Sequence, residues 1–415
     1  MQTMRPLLRF VLILALAIPC LSQGPITPTF FGMHFNRMAS INSNVPVGSI
    51  RLWGTATGWA HLCPTGPNCN WKRLDDWLAT AKRNGIDDVV YTFGKTPVWA
   101  SSGPHADCEC SPPRDLSADG GGSDELWKAF VRSIVTHNLH LGSGYAKIKY
   151  WGVWNEPGGF NFWNGKDAQM VRMEKDAAAV IKEVDPSALV LTPEAGAGPY
   201  FDHYFAAGGG QYADIIAWHG YSPAVLPGGH PIPEGAVLES FDKIKEKVAR
   251  YPALASKPIW NTEGSWSRTD YANWQGFDQA AAFVVRYYVL QASAGVGRVY
   301  WYMYDGNPRT CCGSMWHEST GELPAGAAYR EVHKWLLGHT VSGCAAKNHI
   351  WTCKIEGPVY NGKIVWDDEY EKTSSFDATG FKSYRDISGA STPLAAKTAS
   401  VTIGNKPIML ETAGK

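Results

Sequence analysis

The chain has 415 residues, 38 basic and 38 acidic side chains, and a formal net charge of zero. Hydrophobic residues make up 45% and charged ones 18%, too apolar for a disordered chain and too neutral for an electrostatic nucleic-acid binder. Such a length buries a large core, and one large domain with a small companion is the expected organisation.

In chain order, the first segment reads as an export signal. Arg5 and Arg9 precede an apolar run, Phe10–Pro19, too short to span a bilayer, and small Ser22 suggests cleavage after residue 22. Residues 1–22 hold two arginines and no acids, so the expected mature chain carries 36 basic and 38 acidic groups. No later segment reads as a membrane span. A secreted protein, extracellular or periplasmic, is therefore expected, free of the membrane once the signal is removed.

Export sets the cysteine reading. Cys20 leaves with the signal, and eight cysteines remain, an even number in an oxidising compartment. Cys63 and Cys69 bracket a Pro/Gly-rich loop suited to a local bridge, and Cys344 and Cys353 flank an expected hairpin. Cys108, Cys110, Cys311 and Cys312 form two close couples expected to pair with each other, in an order the spacing leaves open. C-x-C and C-C lack the usual zinc spacing, so no metal is expected. No phosphate-binding or dinucleotide glycine motif appears where chemistry would need one, so no cofactor is expected.

Eight short apolar runs follow: Phe30–Phe35, Ser49–Trp53, Asp88–Phe93, Tyr150–Trp154, Leu189–Thr192, Ile215–His219, Pro258–Thr262 and Arg298–Tyr304. Amphipathic stretches separate them. Leu74, Trp77, Leu78 and Ala81 recur at helical spacing, as do Leu126, Trp127, Phe130, Val131 and Ile134. Further helices are predicted at 166–184, 239–250, 275–293 and 326–337; the fourth to sixth units are the least clearly separated. Eight strands alternating with helices predict an α/β fold, a (β/α)₈ TIM barrel over residues 23–338. Near-continuous apolar strands fit a parallel sheet covered on both faces.

After Trp335 the helical period disappears. Short Thr/Val/Ile-rich runs between turn residues predict a small C-terminal β-sandwich over 339–415, packed on the barrel.

Barrels of this type hold their chemistry at the carboxyl ends of the strands. The fourth run ends Trp154-Asn155-Glu156-Pro157 and the seventh ends Trp260-Asn261-Thr262-Glu263. Two glutamates therefore leave strands on opposite sides of one mouth, where a pair about 5–5.5 Å apart serves a retaining glycosidase. The 18 Trp, 18 Tyr and 15 Phe add flat rings of the kind that stack on the C–H faces of sugars.

On these residues the chain resembles the clan A glycoside hydrolases. The likeness runs through all eight strands, and Trp154-Asn155-Glu156-Pro157 followed by Phe162-Trp163 is most similar to family 39, with family 5 the close competitor. The segment Asp214–Tyr221 departs from the family 39 pattern. The resemblance implies Glu156 as acid/base, kept protonated by the nearby nucleophile, and Glu263 as that nucleophile. It further implies Asn155 on the sugar 2-hydroxyl, Arg51 beside the nucleophile, and Trp301 as an aromatic platform. His219 and Tyr221 end strand six within reach of Glu263 or the sugar. His34, Trp99, Trp163 and Trp266 are softer binding candidates, and Glu194 is a candidate for binding a hydroxyl. The function implied is a retaining β-glycoside hydrolase, expected to be monomeric, acting on plant or microbial polysaccharide or oligosaccharide. Exo (β-xylosidase-like) and endo (glucanase- or xylanase-like) action both stay open. The alternative is a barrel that binds glycans without cleaving them, which would have no need of a paired acid and nucleophile.

Overall fold

The computed structural model describes residues 24–42, 44–103, 109–159, 161–222, 232–266, 277–306 and 312–412. The expected signal, with Cys20, and Cys108 and Cys311 lie outside the described residues.

The barrel strands are β1 Phe31–Met33, β2 Ser49–Leu52, β3 Asp88–Thr92, β4 Lys147–Gly152, β5 Leu189–Leu191, β6 Ala195–Gly196, β7 Ile216–His219, β8 Ile259–Gly264 and β9 Val299–Trp301. They form one parallel sheet in the order β5-β4-β3-β2-β1-β9-β8-β7-β6. β5 and β6 are two halves of a single stave. Pro193, which has no N–H to donate, lies in the break between them. A parallel bridge from Leu191 to Ile215 and the Thr192 N–H to Ile215 carbonyl bond of 3.0 Å close the barrel there. Eight staves result, as the alternation of runs predicts. β2, β3 and β7 are buried along their whole length, because side chains on one face fill the barrel and those on the other meet helices.

The helices are α1 Trp59–Leu62, α2 Lys72–Arg83, α3 Glu125–His140, α4 Asp167–Val184, α5 Tyr200–Ala206, α6 Pro233–Ala249, α7 Phe277–Ala294 and α8 Pro324–Leu336. Leu74, Trp77, Leu78 and Ala81 are the buried stripe of α2, as their spacing requires. The seven-residue α5 is too short to show a helical period, which is why the middle units run together in the sequence.

Beyond the barrel, β12 to β14 (Thr340–Lys347, Ile350–Glu356, Asn361–Asp367), β16 Ser383–Arg385, β17 Ser391–Pro393 and β19 Ile408–Glu411 form a six-stranded antiparallel sheet; β10 and β11 are a small hairpin, Trp316–His317 with Gly321–Glu322. A two-stranded ribbon, β15 Ser374–Asp377 with β18 Ser400–Ile403, covers one face around Val365, Ile403 and Leu410. Alternate residues Ile364, Trp366 and Met409 belong to the core shared with the barrel. The sandwich is thus lopsided, its second layer reduced to a ribbon.

Cys63–Cys69 and Cys344–Cys353 are disulfides, the latter joining β12 to β13. Cys110 and Cys312 are also disulfide-bonded.

One buried ionic contact ties the β layers to the barrel. Glu234 of α6 accepts from the Trp366 indole N–H at 2.8 Å and pairs with Arg286 of α7 at 3.2 Å. Glu234→Ala would strand the Arg286 charge in the interior. The expected loss is about 3–5 kcal/mol of unfolding free energy, read by urea titration. A loss under about 1 kcal/mol would show that the contact is not what holds the two parts together.

Candidate active site

The mouth is built from strand ends that run on past their regular hydrogen bonding. After β4 the chain continues straight: the Glu194 N–H bonds the Trp154 carbonyl at 2.8 Å and the Glu156 N–H bonds the Glu194 carbonyl at 2.7 Å. Glu156 then turns with φ 44°, a left-handed conformation that a non-glycine residue seldom holds without support. Pro157 follows and ends the extended run. Glu263 sits inside β8, fixed by the sheet on both sides. Ligand atoms of Glu156, His219 and Glu263 all lie within 4.8 Å of one another. The two carboxyl groups therefore have the spacing of a retaining pair rather than an inverting one.

Arg51 is the hub below them. Buried on β2, it donates to Glu263 Oε2 at 2.8 Å, to Asn155 Oδ1 at 2.8 Å and to Thr92 Oγ1 at 2.9 Å, and it pairs with Glu194. His34 Nε2 lies 3.1 Å from both Arg51 and the Thr262 carbonyl. The Tyr221 hydroxyl donates to Glu263 Oε1 at 2.5 Å. His219 Nδ1 lies 2.9 Å from Glu156 Oε1, and its Nε2 is 3.7 Å from Glu194. Each catalytic-type carboxylate thus has its own cation, and Glu194 stands behind both cations.

Burial alone would raise the Glu263 carboxyl, but the charges of His219 and Arg51 outweigh it and hold the group below the usual range. The same contest at Glu156 is decided by the His219 hydrogen bond and charge, which lower it. Burial would depress His219, yet the facing carboxylates Glu263, Glu156 and Glu194 push it up to about 9. Both directions run against the expectation that Glu156 itself is kept protonated by the nearby nucleophile. Glu156 and His219 share a 2.9 Å hydrogen bond, so the two groups titrate as a pair.

Glu194 is the residue whose role the sequence did not reveal. It is wholly buried and bonded to Arg51 and Thr92, so it is not a hydroxyl binder open to ligand. A side chain on Gly152 would stand 1.9 Å from its carboxylate, so glycine is required beneath it. Its negative charge strengthens proton binding by both His219 and Glu156. Removing that charge weakens it, so Glu194→Gln should move the alkaline limb of any pH–rate profile to lower pH. Activity at neutral pH should fall by about 10–100-fold, as when outer partners of a site are lost. An unmoved limb with a lowered melting temperature would mark Glu194 as purely structural.

Two aromatic candidates are corrected. Trp301 is fully buried and packs on Tyr287 and Tyr288 of α7, with its indole donating to the Gly313 carbonyl at 2.6 Å. Trp266 is equally buried, against Phe283 and Trp301. Neither can touch a ligand. Strand alternation puts Trp301 on the helix side and its neighbour Tyr302 on the mouth side, where Tyr302 meets the His34 ring at 5.1 Å. Counting the two-residue period from Tyr300, which packs inside the barrel, identifies Tyr302. Trp99 packs on Trp59 and donates to the Cys63 carbonyl at 2.8 Å, pinning a loop rather than joining the glutamates. Trp163 is buried against Trp154.

The fold, a closed barrel with β layers following it, is one that solved glycoside hydrolases share. No family model and no curated protein sequence matches the chain. Solved structures do. A family 39 glycoside hydrolase from the gut symbiont Bacteroides cellulosilyticus WH2 superposes with TM-score 0.70 at 15% identity, over 93% of this chain and 81% of that one. A monomeric β-xylosidase from Caulobacter crescentus CB15 gives 0.62 at 14% identity, over 94% and 97%. A family 30 subfamily 8 xylanase from Clostridium acetobutylicum gives 0.60 at 14%, over 94% and 97%. At such identities the likeness establishes the fold.

Proposed function

We propose that this chain is a secreted retaining β-glycoside hydrolase acting on plant or microbial polysaccharide or oligosaccharide. The observation that carries the reading is the pair of glutamates within 4.8 Å across one barrel mouth, Glu263 on Arg51 and Glu156 on His219. A barrel that only binds glycans has no use for that arrangement.

In this reading Glu263, held ionised by Arg51 and oriented by Tyr221, attacks the anomeric carbon and forms a glycosyl ester. Glu156 delivers the proton it shares with His219 to the departing oxygen, then takes a proton from the water that opens the ester. Arg51 holds the Asn155 amide by its oxygen, which leaves the amide nitrogen to donate to the sugar 2-hydroxyl. Tyr302 takes the platform role beneath the reacting sugar. The N-terminal sequence and the two bridges support export, since such disulfides persist in oxidising compartments. The xylosidase and xylanase among the similar structures put xylosides first among substrates to test.

The test is a hydrolysis screen over xylan, glucan, mannan and galactan with the matching nitrophenyl β-glycosides, followed by proton NMR of the first sugar released. The β anomer from a β-glycoside supports the double displacement. An α anomer, or no hydrolysis at all, overturns it.

A further inference from the structure

The loop before α3, Asp115 to Asp124, packs against α4 and shares no residue with the mouth described above. Arg172 of α4 holds it, donating to the Gly120 carbonyl at 3.1 Å and the Gly122 carbonyl at 3.4 Å. Asp124 is the N-cap residue of α3. An aspartate in that place normally accepts from the first amides of its helix. Here Asp115 does so instead, its Oδ2 taking the Leu126 N–H at 3.2 Å and the Ser123 hydroxyl at 2.9 Å. Asp124 makes no cap bond and is fully buried. Neither of its carboxylate oxygens has a hydrogen-bond partner among the described residues, and Asp115 Oδ1 is buried and unpartnered as well.

What Asp124 faces is more negative charge. The Asp176 carboxylate of α4 stands against it, with Asp115 close by. Asp176 takes the Arg172 Nε–H at 2.7 Å on Oδ2, and the ammonium of Lys128, one turn into α3, is engaged by Glu125. Burial above all, then the Asp176 carboxylate, pushes Asp124 up to about 8 against the pull of Arg172. Three carboxylates thus meet one guanidinium, and a divalent cation balances the charge that is left.

We propose that Asp124, Asp176 and Asp115 form a calcium site that fastens the loop before α3 to α4. Asp124 offers both oxygens, Asp115 its free Oδ1, and Asp176 the oxygen that Arg172 does not bond. All are hard carboxylate donors, with no sulfur or imidazole to draw a softer metal. Calcium takes about six to eight oxygens in adaptable geometry and lets water complete the shell, whereas magnesium demands a stricter octahedron. The affinity expected is about 10⁻⁴–10⁻³ M, that of extracellular calcium modules. A proton shared between Asp124 and Asp176 is the competing occupant, and it would leave the protein indifferent to calcium. The site stands independently of the glycosidase reading.

The test strips the protein with EDTA, removes the chelator, and titrates calcium chloride at neutral pH. Calorimetry should find one calcium bound, and about 10 mM calcium should raise the melting temperature by about 3–5 °C. Magnesium chloride at the same concentration controls for ionic strength and should give less than half that shift. Asp124→Asn and Asp176→Asn keep the side-chain shape and should each lose both calcium signals while still melting cooperatively. Glu263→Gln should keep both signals, which separates this site from the carboxylates of the mouth. No calcium response in the unaltered protein, an equal response to magnesium, an undiminished response in either aspartate variant, or its loss in Glu263→Gln would overturn the site.

Discussion

Glu263→Ala is expected to abolish turnover on every substrate, by about 10⁴-fold or more, because no covalent intermediate can then form. The site makes this residue hard to replace. Its carboxylate takes a 2.8 Å bond from Arg51 and a 2.5 Å bond from Tyr221. The cavity left by alanine keeps the Arg51 charge, so a small anion is drawn to it. Azide should therefore attack the anomeric carbon directly and give a β-glycoside's sugar as the α-azide, with inverted configuration, detected by NMR. A β-azide would assign the nucleophile elsewhere.

Glu156→Ala is expected to separate substrates by their leaving groups. Dinitrophenol departs without a proton, so the first step should survive on dinitrophenyl glycosides while polysaccharide hydrolysis falls by about 10²–10⁴-fold. The intermediate formed by Glu263 then waits for a nucleophile that needs no base. Azide should restore turnover and give the β-azide, since two displacements retain configuration. The opposite stereochemistry in the two rescues would exchange the roles of the glutamates. Unchanged activity in either variant would remove the catalytic reading and favour a glycan-binding barrel.

Much of this was legible in the sequence, for identifiable reasons. Parallel barrel strands are short apolar runs, and amphipathic helices carry their stripe, so eight staves and the longer helices stand out. Glu156, Glu263, Asn155 and Arg51 are legible as mouth residues because strand ends define the mouth, and the structure brings them together there. Glu194 was misread because its partner Arg51 lies 143 positions earlier, and nothing local marks a carboxylate as buried on an arginine. Trp301 is buried on the helix side instead, because its aromatic neighbours Tyr300 and Tyr302 offer equally good rings and only strand alternation decides which face the mouth. The upward push on His219 follows from three carboxylates converging on one ring, which is a property of the closed barrel and not of any motif.

The most direct test of the account is to trap the intermediate. A dinitrophenyl 2-deoxy-2-fluoro-β-glycoside of the preferred sugar forms the glycosyl ester and resists its hydrolysis, because fluorine disfavours the positively charged transition state of the second step. Peptide mass spectrometry of the inactivated protein should find one sugar, attached to Glu263. A label on Glu156 or another residue, or turnover of the reagent with no label at all, would contradict the double-displacement site described for this fold.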